Sequence, residues 1–175
     1  MTPGALITAS AYAIIRGDLK EPPNHGFCLQ LVRIIIEDAF SWPSHTFYRW
    51  RTTIVKRTPG ASTAPWARDM EASLRAAGMD VRTPRTGPAG DPSRYVNLTE
   101  ADLRAGDLLF RWDTALSGPD FVGHVGVFLG HGLVLENVRP AFRPEGLARD
   151  ATVISRVGAW PVTTVVRFDP AVAPA

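Results

Sequence analysis

The period of the apolar residues changes partway along this chain, and that change limits the fold more than any other feature. From Cys28 to Phe40, Leu31, Val32, Ile35, Ile36 and Ala39 recur at the 3.6-residue period of a helix, with Arg33 and Glu37 opposite. Beyond residue 106 the apolar runs are short, rich in Val and Phe, and bounded by turn residues, which is the pattern of strands. Helices first and an antiparallel meander after predict an α+β domain, with helices packed on a C-terminal antiparallel sheet.

Each half carries its own punctuation. Thr2-Pro3-Gly4-Ala5 predicts a helix start, and Gly17 its stop. A further helix is expected from about Ala64 to Ala77, capped by Ser62 or Thr63, with Pro65 in its first turn and Gly78 after it. The stretch from Ser44 to Arg57 is aromatic and basic and is left unassigned, and Thr83 to Asn97 reads as a Gly- and Pro-rich loop. Strands are expected at Asp107–Trp112, after the turn Arg104-Ala105-Gly106, and at Thr152–Arg156 and Val162–Phe168. Between them, His124–Leu129 and Leu133–Val138 form a hairpin across Gly130-His131-Gly132. A chain of 175 residues with this arrangement is one domain, spanning 1–175, with residues 1–20 as a helical extension and 171–175 as a tail.

Composition narrows the function classes. All but Lys20 and Lys56 of the 19 basic residues are arginine, but they are scattered, so a nucleic-acid partner is not expected. No apolar stretch reaches the length of a membrane span. The apolar residues from Ala5 to Ile15 have no positive charge before them and form too short a run for a secretory signal. The chain is therefore expected to be synthesised in the cytoplasm without a signal peptide. With Cys28 as the one cysteine, an internal disulfide and a cysteine-based zinc finger are excluded.

That same cysteine is the leading candidate for chemistry. It follows the turn-forming Pro22-Pro23-Asn24-His25-Gly26 and opens a helix, where the dipole and free backbone N–H groups favour a thiolate and can hold an oxyanion. A thiolate nucleophile needs a base, and His124 heads the strand Gly123-His124-Val125-Gly126-Val127-Phe128 among small and apolar neighbours. His25, His45 and His131 are weaker candidates; His131 reads as a hairpin tip. A third residue must share a sheet face with His124 to hold its other ring nitrogen. An odd number of loop residues in the hairpin gives Glu136 that place, and an even number gives it to Asn137. Trp42, Trp50 and Trp112 read as core residues first, and Arg139, Arg143 and Arg149 as a solvated loop.

Cys28-Leu29-Gln30-Leu31-Val32-Arg33, then Gly106-Asp107-Leu108-Leu109-Phe110, then Gly123-His124-Val125-Gly126-Val127-Phe128-Leu129-Gly130 together resemble the NlpC-type cell-wall peptidases and their CHAP relatives. The resemblance spans roughly residues 22 to 138, though Phe27, Leu29 and Gln30 stand where the family usually has Asp, Ser and Gly. It implies a papain-like fold and a cysteine peptidase or amidase of peptidoglycan, endolysin-like, acting as a monomer without a cofactor or a membrane partner. Its third catalytic position falls twelve residues after the base, on Glu136, with Asn137 the alternative. Delivery to the wall then requires lysis or dedicated export. Two other outcomes are an acyltransferase or protein deamidase on the same fold, and a non-catalytic module that binds wall or a partner.

Overall fold

The computed structural model describes residues 1–20, 28–57, 67–82, 102–111, 123–138, 151–157 and 162–172. Among these, four helices come first: α1 (Pro3–Arg16), α2 (Cys28–Ala39), α3 (Thr46–Arg57) and α4 (Ala67–Ala76). Six strands follow: β1 (Asp80–Arg82), β2 (Leu108–Arg111), β3 (His124–Gly130), β4 (Leu133–Val138), β5 (Ala151–Arg156) and β6 (Val162–Arg167). They form one sheet in the order β1-β6-β2-β3-β4-β5, and every neighbouring pair is antiparallel. The α+β arrangement of helices on an antiparallel sheet is thus present.

Local chemistry explains where the helices stop and start. Thr2 Oγ1 accepts the Ala5 N–H at 3.3 Å, Pro3 occupies the first turn, and Gly17 closes α1 in the left-handed region at φ 79°. Ile7, Ala11 and Ile14 of α1 enter the main core, so the segment expected as an extension is packed into the domain. The α2 stripe of Leu31, Val32, Ile35, Ile36 and Ala39 is buried as its period predicts. Of the two residues expected opposite this stripe, Glu37 is buried and Arg33 half-buried. Arg33 Nη1 donates to Glu37 Oε2 at 2.8 Å, and the Phe47 N–H donates to Glu37 Oε1 at 3.0 Å. Glu37 therefore caps the first turn of α3 from another element. The stretch from Ser44 to Arg57, unassigned from sequence, is thus a helix whose Phe47, Trp50 and Val55 recur at helical spacing. α3 buries Phe47, Trp50 and Val55, and Trp42 and Trp50 gather with Phe40 and Phe47 around Phe168. The capping residues expected for α4, the 83–97 loop and Trp112 lie outside the described residues.

Alternation along the strands gives the sheet two apolar faces. Leu108, Phe110, Val125, Val127, Leu135 and Val166 pack with the helices, while Leu109, Phe128, Val134 and Val165 pack with Leu103 on the other side. The turn before β2 is tied down twice. Gly106 has φ 90°, and a Cβ there would meet the Gly4 carbonyl oxygen at 2.4 Å, so α1 seats its first turn directly on this backbone. Asp107, 1% exposed, takes the Arg167 guanidinium at 2.9 Å on Oδ1 and 3.1 Å on Oδ2 and caps the turn at the Arg104 N–H. The aspartate of the Gly-Asp motif is thus a structural clamp between β2 and β6.

Candidate active site

Cys28 is the first residue of α2 and partly accessible. α2 packs on the Val125 and Leu135 face of the sheet, and His124 is the first residue of β3. A residue at the end of its strand is within reach of a helix that begins beside it, and the thiol and the imidazole are hydrogen-bonded. Glu136 Oε2 lies 2.9 Å from His124 Nε2, which leaves Nδ1 as the ring nitrogen toward the sulfur. The other oxygen, Oε1, accepts a hydrogen bond from Ser155 Oγ. Three of the four residues singled out from sequence therefore converge: Cys28, His124 and Glu136.

The hairpin register decides the third place, and it does so by a route the loop count alone does not reveal. The turn holds two residues, His131 at φ 51° and Gly132 at φ 71°, the mirror-image geometry preferred in tight hairpins. An even turn favours Asn137. But the ladder slips between Phe128 and Gly130, so that Phe128 pairs Val134 while Gly130 pairs Leu133. Leu129 is the extra residue of this bulge and restores the face that an odd loop would have given. Glu136 consequently shares a face with His124. Asn137 falls on the opposite one, where its Nδ2 lies 3.4 Å from Thr152 Oγ1.

Charge and burial act against each other in this cluster. Desolvation alone would hold both the thiol and the imidazole neutral. Against it, the attraction between a Cys28 thiolate and a His124 imidazolium, their hydrogen bond, and the backbone N–H groups of Val125 and Leu29 bring the thiol below its ordinary range. For His124, burial is outweighed first by Cys28 and then by Glu136, which raise it to about 9. Burial pushes Glu136 up, but His124, Ser155 and the nearby positive charge of Arg111 bring it below the usual carboxylate value. These opposing effects favour a Cys28 thiolate beside a His124 imidazolium with the Glu136 carboxylate on the ring's other nitrogen, an arrangement that can supply a nucleophile, a general acid and an orienting carboxylate.

His131 is exposed at the hairpin tip, and His45 lies at the start of α3 with φ 67°, so neither belongs to this cluster. His25, Arg139, Arg143 and Arg149 lie outside the described residues. Two contributors went unread in the sequence: Ser155 and Arg111. Their only signal is strand pairing, which sets Val134 opposite Ser155 and His124 opposite Arg111. No helix among the described residues is long and apolar enough to cross a membrane. No family model, no curated protein and no solved structure matches the chain.

Proposed function

We propose that this chain is a papain-like cysteine hydrolase that cleaves amide bonds in the stem peptides or cross-links of bacterial peptidoglycan. The observation that carries the reading is the Cys28–His124–Glu136 cluster, with its ion pair at the start of a helix. The wall substrate comes from the resemblance of the Cys28 helix, the Gly106-Asp107 strand and the Gly123-His124-Val125-Gly126 strand to NlpC-type and CHAP peptidases.

In the first half-reaction, the Cys28 thiolate attacks the carbonyl carbon and a carbon–sulfur bond forms. The free N–H groups at the start of α2, that of Cys28 included, face the developing oxyanion. The carbon–nitrogen bond breaks as the His124 imidazolium protonates the leaving amine, giving a thioester and a neutral imidazole. In the second, His124 takes a proton from water as the water attacks the thioester. The acid product leaves, and the thiolate–imidazolium pair is restored. Glu136 holds the ring in one tautomer and stabilises its positive form throughout.

Digestion of purified sacculi by wild type and Cys28→Ala, with mass spectrometry of the released fragments, tests this directly. Amide cleavage by wild type alone is expected. Wild-type protein that releases nothing from sacculi, yet transfers an acyl group to an added amine, would make the chain an acyltransferase.

A further inference from the structure

Glu136 has two carboxylate oxygens, and orienting the imidazole occupies one of them. The other accepts from Ser155 Oγ, a hydroxyl on β5 that lies far from Cys28 in sequence. Ser155 is buried, at 7% exposure. Its pairing with Val134 places its side chain on the same face of β5 that Glu136 occupies on β4 and His124 on β3. The three polar groups thus run diagonally across three adjacent strands, and Arg111 joins them from β2 opposite His124. A buried carboxylate that loses a hydrogen bond on one oxygen is freer to rotate about its last bond or to take the ring's proton.

We propose that Ser155 is a positioning residue of the active site: its Oγ–H fixes the Glu136 carboxylate against the His124 ring and completes a Cys28–His124–Glu136–Ser155 chain. The inference deepens the cysteine-hydrolase reading and rests on it for the reaction served. Its effect on the thiol can be measured without any substrate. The groups facing Glu136 include His124 from β3, Arg111 from β2 and Ser155 from β5, with Cys28 of α2 behind His124. Of these, only Ser155 donates a hydrogen bond without carrying charge. Losing it weakens the carboxylate's hold on the imidazolium, and through that the thiolate.

The test is the pH profile of Cys28 alkylation by iodoacetamide in wild type, Ser155→Ala and the shape-matched pair Ser155→Thr and Ser155→Val, all with circular dichroism as a check of fold. Ser155→Ala and Ser155→Val should raise the midpoint and slow alkylation at pH 6 by about 3- to 10-fold, a pKa unit being tenfold in thiolate. Ser155→Thr, which keeps the hydroxyl, should stay within about 2-fold of wild type by the same relation. The Thr and Val variants decide the matter even if the alanine variant fails to fold. Indistinguishable Thr and Val profiles, or a Ser155→Ala profile identical to wild type, would overturn the proposal. So would a wild-type thiol of ordinary reactivity. Sacculus digestion separates the two readings: shifted alkylation without release of wall peptides leaves the four-residue chain standing and removes the substrate.

Discussion

A cysteine and a histidine that ionise each other define a pH window, and its edges follow from the charges around them. Cys28 lies below the ordinary thiol range, so its thiolate forms at lower pH than that of a free cysteine, and turnover should rise through that acid limit. His124 is held at about 9, so the imidazolium that protonates the leaving amine is lost as pH rises through that value. kcat/KM should therefore be bell-shaped with its alkaline limb near 9, and at pH 6 iodoacetamide should react with Cys28 faster than with a free thiol. A second prediction separates the neighbours on β4. Glu136→Gln should lower turnover roughly 10- to 10³-fold with the fold intact, less than the largest losses for an orienting carboxylate because the pair is already ionised. Asn137→Ala, on the other face, should cost far less; steady-state kinetics on two equally stable variants measures both. Cys28 and His124 were legible because each sits in an informative local frame, a helix start and a Gly-flanked strand. Glu136 was legible only up to the parity of a loop. Ser155 was not legible at all, because its role exists only once β4 and β5 are paired.

At the scale of elements, the hairpin shows why parity could not be read from the turn. Tight-turn geometry and strand pairing are separate choices, and the bulge at Leu129 reconciles a two-residue turn with the face that Glu136 needs. The turn itself has room for improvement. His131 adopts φ 51° ahead of Gly132, a place where asparagine is favoured. His131→Asn should raise stability by about 0.5 kcal/mol in thermal or urea unfolding and leave turnover unchanged, as expected of a tip outside the active site. The helices were legible to different degrees for equally concrete reasons. α1 and α2 carry apolar stripes, and α1 its own Thr2 cap and Gly17 stop. α3 is a helix through tertiary help, its first turn satisfied by Glu37 across an inter-helix contact. β1, three residues long with a charge at each end, is set by its pairing with β6.

Across the whole molecule, the active site and the framework that steadies it are separable. Gly106→Ala combines a positive φ with a backbone collision against Gly4 and should cost about 2 kcal/mol or more. Asp107→Asn leaves the Arg167 guanidinium, itself about a fifth exposed, short of its buried counter-charge. It should cost about 2–3 kcal/mol, below the range for fully buried pairs. Both variants should lower the melting temperature while Cys28 alkylation in the folded protein keeps its wild-type pH profile. Strand order carries a last consequence. β6, the last in chain order of the described strands, is not at the sheet's edge but between β1 and β2. Among the described strands, β1 reaches β2 only through β6, whereas the β3-β4-β5 meander bearing His124, Glu136 and Ser155 is hydrogen-bonded without it. A local opening of β6 would therefore release β1 and bare one side of β2 while the strands that carry the chemistry stay paired.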